Sequence, residues 1–424
     1  MPALCLCFDV HEAYRLRRYT VFDIGQSSLY EDDDRNCDSL MALARMCYLP
    51  MNELLLKLVR RHKKAFKCAF AISGTALDQF EQYTPEVIDG FRALAATGCV
   101  EFVAGTSAHS LAFLYSREEF DRQVEFHSAR LKAVFGRKPL SFRNTEYVYN
   151  NELALALQKS GFKAVLAEGA DHVLGWRSPN YLYQAPDVSE PCLFLRNASL
   201  SEDVSINFGC REWPGWPLTA EKFTAWCRSA ADSADIINLF WDYHAFGARH
   251  LKETGIVDFI TALPAALLED KRFKFMTPSE AVKKIEPRGV VDVPGFTSWK
   301  DRERDLTMWL GNDMQKDAIH ALYALAARVR ATGDAVLLHD YERLQSADHF
   351  YNMSTKWFTG YLSDRPNPFG NPYDAYITFM NVLADFEMRL VAAEGAARHP
   401  APQEKAVEKP RVRRKKSGGR APKP

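Results

Sequence analysis

The sequence predicts an α/β fold: a distorted barrel of parallel strands, then a mostly helical C-terminal subdomain, then a disordered basic tail. Three observations carry this reading. Short apolar runs alternate with segments of helical spacing as far as Lys284. Beyond a Pro- and Gly-bearing stretch, long amphipathic segments follow with no strands between them. From Ala396 the chain is rich in Pro, Lys, Arg and Gly and almost free of apolar residues, so burial cannot offset its ordering entropy. The boundaries read as 1–286 for the barrel, 287–395 for the helical subdomain and 396–424 for the tail.

The runs that read as buried strands are Ala3–Phe8, Cys68–Ile72, Val100–Val103, Ala164–Ala167, Cys192–Leu195, Ile236–Trp241 and Phe273–Phe275. Helical spacing separates them. In Asn52–Arg61, Leu54, Leu55 and Leu58 fall on one face; Pro85–Thr97, Arg117–Phe135, Asn151–Ser160, Ala220–Ser233 and Thr254–Leu268 behave alike. Strand–helix alternation implies a parallel sheet, and about seven strands suit a closed, irregular barrel. Pro287–Phe296, with Pro287, Gly289, Pro294 and Gly295, reads as a linker. Met314–Thr332 and Ala375–Ala393 are the long helices of the C-terminal part. The acidic run Glu31-Asp32-Asp33-Asp34 lacks the spaced ligands of a calcium loop and reads as a solvated loop.

Composition excludes some classes. A hydrophobic share of 47% and a charged share of 25% are ordinary globular values, so wholesale disorder is ruled out. The net charge of zero hides an asymmetry: Glu404–Pro424 holds nine Lys/Arg against two Glu, a net +7, which leaves −7 on the remainder. A mildly acidic body argues against nucleic acid as a specific ligand, and the Arg411–Lys416 cluster reads as part of a solvated tail. Nine scattered cysteines without a CxxC pair read as reduced thiols, hence a cytoplasmic protein. The start of the chain has no basic, signal-like segment, and no apolar run of about 18 residues exists to span a membrane.

Polar residues that end apolar runs are the candidates for chemistry, because parallel α/β folds build their sites there. Asp9 and His11 end the first run, and Glu101 with Gly105–His109 follows the third. Arg143–Glu146 follow Pro139–Phe142, Glu168–His172 follow the Ala164 strand, and Asp242, Tyr243 and His244 follow Ile236–Trp241. Glu146 and Asp242 stand out as an acid pair. Facing one another across a pocket, two carboxyls can split into an ionised nucleophile and a protonated acid, with Arg143 as a candidate for keeping one of them charged. Glycosidic bond cleavage needs that arrangement. The aromatic share of 12% fits a sugar ligand, since Trp176, Trp213, Trp216, Trp241 and Trp309 offer flat faces.

These residues carry a resemblance. The blocks are His11 with Arg15-Leu16-Arg17-Arg18-Tyr19; Cys47-Tyr48-Leu49-Pro50-Met51-Asn52-Glu53; Ser73-Gly74-Thr75-Ala76-Leu77; Thr97–Phe102; Phe142-Arg143-Asn144-Thr145-Glu146; Glu168–Tyr181; Trp309-Leu310-Gly311-Asn312; and Ser346-Ala347-Asp348-His349-Phe350. In this order they resemble glycoside hydrolase family 57, most closely its short bacterial α-amylase and α-amylase-like branch. The resemblance implies a distorted (β/α)7 barrel with a helical C-terminal subdomain, acting on α-1,4-glucans or maltooligosaccharides with retention of configuration and without metal or cofactor. It places the nucleophile on Glu146 and the acid/base on Asp242. It places sugar contacts on His11, His109 and Asp348, with Glu101, Asp171, His172 and His244 in the binding set and Trp176 and Trp309 as stacking faces.

The chain departs from the family's pattern at three points. The usual His-Gln-Pro is His11-Glu12-Ala13. The usual Gly-Thr-Tyr-Tyr-His is Gly105-Thr106-Ser107-Ala108-His109, and the usual Asp-Tyr-Glu-Thr-Phe-Gly is Asp242-Tyr243-His244-Ala245-Phe246-Gly247. A carboxylate beside the acid/base has become an imidazole, while a new carboxylate, Glu12, follows His11. Two readings follow: an active retaining hydrolase, in which transfer to a second glucan could accompany hydrolysis, or an α-glucan-binding homologue with little turnover. A third, metal-dependent deacetylation, would use His244, His250 and Asp9, with His250 otherwise a surface residue.

Overall fold

Among the residues that the computed structural model describes, 2–359 and 367–398, nine strands form. They are β1 (Ala3–Val10), β2 (Cys68–Ile72), β3 (Val100–Phe102), β4 (Ser141–Arg143), β5 (Ala164–Glu168), β6 (Leu182–Tyr183), β7 (Cys192–Arg196), β8 (Ile236–Asp242) and β9 (Lys274–Phe275). Two sheets, ordered β3-β2-β1-β8 and β4-β5-β7-β6, run parallel except for the β6–β7 pair. Two seams join them. Ala104 N donates to Ser141 O at 2.9 Å and Arg143 N to Ala104 O at 2.8 Å, linking the end of β3 to β4. Asn197 N donates to Asn238 O and Asn238 Nδ2 to Leu195 O, both at 2.9 Å, linking β7 to β8. The result is the distorted (β/α)7 barrel, with strands in the ring order β3-β2-β1-β8-β7-β5-β4. β9 pairs with Ala3 and Leu4, the part of β1 that β2 does not reach.

Alternation along each strand decides what lies inside. On β1, Leu4, Leu6, Phe8 and Val10 pack outward against the helices, whereas Ala3, Cys5 and Cys7 join a second cluster with Ala69, Ala71, Ala164, Leu166, Cys192, Phe194, Ile236 and Phe240. That cluster fills the barrel, and its Ala and Cys side chains suit a narrow interior. Two residues further along the same inward columns stand Asp9, Ser73, Glu168, Arg196 and Asp242. Strand parity therefore collects polar groups at the C-terminal mouth.

The C-terminal part is helical: Thr307–Leu310, Asp313–Ala324, Ala326–Thr332, Ala335–Leu344, Ala347–Asn352 and Pro372–Arg398. The expected helix Met314–Thr332 is thus two helices, meeting at Leu325 without a proline or glycine. The segment read as a linker lies along the barrel wall. Val291 and Val293 are buried, Val291 N bonds to Gln184 O, and Asn151 N bonds to Val293 O. The acidic run is not a solvated loop. Asp32 caps the helix Asp33–Leu43 by accepting from Arg35 N at 3.1 Å, and the largely buried Glu31 faces Arg343 at 3.5 Å. Nearly all of the expected basic tail, including Arg411–Lys416, lies outside the described residues. Among the described residues no helix is long and apolar enough to cross a membrane. The nine cysteines are unpaired, and all but Cys37 and Cys210 are buried.

One ion network ties the mouth together. Arg196 Nη1 donates to both carboxylate oxygens of Glu168, at 3.3 and 3.1 Å, and to Glu202 at 3.3 Å. The Glu168 and Arg196 side chains are 0% and 2% exposed. Burial pushes the Glu168 carboxyl up, against the pull of Arg196 and Arg304. Arg196→Met would leave Glu168 buried with its nearest partner gone. We expect urea unfolding to show a loss of about 3–5 kcal/mol.

Candidate active site

A cavity of about 1490 Å³ opens at the C-terminal ends of the strands, and the helical subdomain forms part of its wall. Both acids of the predicted pair line it, Glu146 just after β4 and Asp242 at the end of β8. Their surroundings differ.

Glu146 sits in left-handed backbone, φ 52° and ψ 30°, which L-residues seldom adopt. Its Oε1 lies 3.0 Å from His109 Nε2, and its Oε2 accepts from Trp299 Nε1 at 2.6 Å. Burial opposes its charge, but the His109 hydrogen bond, the Lys300 charge and the Trp299 hydrogen bond outweigh it and hold the carboxyl well below the usual range. Arg143 adds a charge that favours the ionised Glu146 but is hydrogen-bonded elsewhere. Its guanidinium is turned under the mouth to the buried Asp9, whose carboxyl burial pushes up despite the pairing.

His109, also at positive φ, stacks on His11 with ring centroids 3.6 Å apart and planes 16° apart. Burial, helped by the nearby His11, pushes its pKa down to about 4, so near neutral pH it is an uncharged ring that donates to Glu146 through Nε2. His11 is held at both nitrogens, Nδ1 at 2.9 Å from Ser73 Oγ and Nε2 at 2.8 Å from Asp348 Oδ2. Asp348 reaches the cavity from the helical subdomain and also accepts from Ser346 Oγ at 2.9 Å. His11, His109 and Asp348 offer atoms within 4.8 Å of one another that could in principle hold a metal ion. The two His11 nitrogens and His109 Nε2 are already engaged by Ser73, Asp348 and Glu146.

Asp242 Oδ1 accepts from the backbone N–H of His244 at 3.0 Å, and Oδ2 from Arg249 Nη2 at 3.3 Å. The His244 ring lies between two carboxylates. Its Nδ1 is 3.6 Å from Asp242 Oδ1, and its Nε2 is 2.8 Å from Glu12 Oε1 and 2.6 Å from the Tyr48 hydroxyl. Tyr48 OH donates to Glu12 Oε1 at 2.7 Å. Burial disfavours the Glu12 charge, but His244 and the Tyr48 hydrogen bond hold its carboxyl below the usual range. Tyr48 ends a π-helical turn, Ala44–Tyr48, that meets the 243–250 loop. Gly247, at φ 110°, permits this approach, because a Cβ there would stand 2.3 Å from Met46 O.

The other expected residues divide. Asp171 and His172 are exposed on the cavity rim after β5. Glu101 is elsewhere. Its register with Ala69 sets it two layers below Ser73, where it bonds Ser141 and, at 3.0 Å, Ser279 N. Trp176 is 89% exposed beneath the Arg177 guanidinium and is not on the cavity wall. Trp309 is on the wall but 1% exposed, packed near Tyr351, so it backs the cavity rather than presenting an open face. Ser107 and Ala108, where two aromatic faces are replaced, are buried away from the wall, with Ser107 bonded to Glu342. His250 is buried, not on the surface. It bonds Ser205 O at 3.1 Å, and its ring packs near Phe208, which leaves it apart from His244 and Asp9 as a ligand set.

The sequence reading missed the segment 299–304. Trp299 and Lys300 touch or face Glu146, and Trp299 N also donates to Glu146 O at 3.3 Å. Arg304 holds the Trp299 carbonyl and Glu202, and Lys356 holds Asp301. Asp301 and Arg304 both adopt positive φ. A tryptophan followed by a lysine just past the linker was the only available signal.

The family described as Glycosyl hydrolase family 57 matches residues 5–294. Over 401 residues, 90% of this chain and 83% of the relative, the chain is 37% identical to a protein of Methanocaldococcus jannaschii described as "Putative alpha-amylase". Among solved structures, the branching enzyme of Pyrococcus horikoshii superposes with a TM-score of 0.70 at 15% identity, over 95% of this chain and 92% of that one. The 4-alpha-glucanotransferase of Thermococcus litoralis superposes with a TM-score of 0.59 at 14% identity, over 91% of this chain. This chain spans only 59% of that enzyme's length. At these identities the two structures speak for the fold.

Proposed function

The chain belongs to glycosyl hydrolase family 57, and on that footing we propose that it is a retaining, α-glucan-active glycoside hydrolase of the α-amylase type. Glu146 is the nucleophile and Asp242 the acid/base. The observation that carries the assignment is the environment of Glu146: a carboxylate opening on a large cavity, kept charged by donors on both oxygens and by a nearby lysine.

Glu146 attacks the anomeric carbon while Asp242 gives its proton to the departing glycosidic oxygen. A glycosyl ester on Glu146 results. Asp242, now ionised, takes a proton from the incoming water, or from a sugar hydroxyl where transfer occurs, and the ester is cleaved. Asp348 binds hydroxyls of the sugar at the cleavage point, the buried His11 acts through Asp348, and Asp171 and His172 meet more distant units at the rim. The buried His109 acts through Glu146. Proton NMR of maltoheptaose digestion tests the proposal, with the α-anomer as the expected first product; first formation of the β-anomer would overturn retention. Products longer than the substrate would reveal transfer.

Asp348→Asn keeps the shape and removes the charge that faces His11 and the sugar. Charge-assisted hydrogen bonds contribute about 1.5–3 kcal/mol, so steady-state kinetics should show kcat/KM for maltoheptaose lower by roughly 10–100-fold.

The alternative of a glycan-binding homologue without turnover rested on the motif departures. Ser107 and Ala108 lie off the cavity wall, and Glu12 and His244 contact one another. Neither departure requires an inactive site.

A further inference from the structure

We propose that Glu12 and His244 act as one positioning pair that sets when Asp242 holds its proton. The inference rests on the acid/base role of Asp242 given above. The geometry is a line of three groups: Glu12 Oε1, 2.8 Å to His244 Nε2, then His244 Nδ1, 3.6 Å to Asp242 Oδ1. Tyr48 spends its one proton on Glu12 Oε1, so at its 2.6 Å contact with His244 Nε2 the hydroxyl accepts. Nε2 therefore carries a hydrogen, shared between Glu12 and Tyr48, and Nδ1 is the nitrogen whose protonation can change.

That nitrogen faces Asp242. With Nδ1 protonated, the imidazolium favours an ionised Asp242, as water activation requires. With Nδ1 bare, its lone pair favours the protonated acid that the first step requires. The carboxylate of Glu12, 2.8 Å from His244 Nε2, is the charge that the ring's protonation answers to in this arrangement. Among the described residues, the titratable or charged groups that bear on Asp242 include Asp9 from β1, Cys47 and Tyr48 from the π-helical turn, and Arg249 and His250 from its own loop. Glu12 reaches Asp242 through the His244 ring.

The sign follows from the chain. Removing the Glu12 charge weakens the imidazolium, which weakens the pull on the Asp242 proton. The alkaline limb of kcat/KM should then move to higher pH. Glu12→Gln should shift it up by about one unit on maltoheptaose. The double variant E12Q/H244E, which sets a carboxylate beside Asp242, should shift it at least as far. A readout without substrate accompanies this: the NMR titration midpoint of the His244 ring should fall by about one unit in Glu12→Gln, and long-range nitrogen–proton couplings should show the Nε2–H tautomer in the wild type. If the limb and the His244 midpoint both stay in place while only thermal stability drops, the pair is structural and the inference is overturned. If the His244 midpoint moves but the wild type turns over no α-glucan, the coupling stands and the hydrolase reading falls.

Discussion

Glu146→Gln lowers turnover of maltoheptaose by about 10⁴-fold or more, the scale seen when an enzyme loses its nucleophile. Glutamine nearly matches the volume, so the cavity and the αL backbone at this position persist. An amide cannot form the glycosyl ester, and its NH₂ would have to face either the Trp299 N–H or the His109 N–H, each now a donor to a carboxylate oxygen. Some of the loss will therefore come from a disturbed wall, and a second variant separates the two effects. Glu146→Ala vacates the space, and azide can occupy it. Azide would then attack the anomeric carbon from the side Glu146 held and yield a β-glycosyl azide from an α-linked substrate. Recovery of that product locates the nucleophile by stereochemistry. Turnover of Glu146→Gln within about tenfold of wild type, with the fold intact by circular dichroism, would remove the assignment.

Part of this site could be read before folding because strand parity is local. Asp9 and Asp242 continue the inward columns of β1 and β8, so alternation alone carried them to the barrel mouth. Glu146 was legible as a polar residue after a short apolar run, although β4 is only three residues long. Glu101 shows where parity stops. Alternation tells which way its side chain points but not at which layer, and the register against β2 sets it below the cavity. Trp299 and Lys300 were hidden for another reason. Their segment has no periodicity, and its partners Glu146 and Glu202 are distant in the chain, as is common for loops held by side-chain contacts. The acidic run was misread because a capping aspartate and a solvated aspartate look alike until the helix behind it is placed.

Asp242→Asn should slow maltoheptaose cleavage by about 10²–10⁴-fold, the usual range for a lost general acid or base. Asparagine can still accept from the His244 backbone N–H, but its NH₂ would then face the Arg249 guanidinium. Two steps suffer in this variant, and they can be restored separately. A substrate with a fluoride leaving group needs little help from a proton, so the glycosyl-enzyme forms from maltosyl fluoride with a much smaller penalty. It then waits, because water lacks its base. Azide needs no base, and attacks the ester from the face that water would have used. The product is an α-glycosyl azide, the anomer opposite to that from Glu146→Ala. One nucleophile giving opposite anomers in two variants requires that the two carboxyls flank the same anomeric carbon from opposite sides. The same anomer from both would mean that at least one acid is misassigned, however well it lines the cavity.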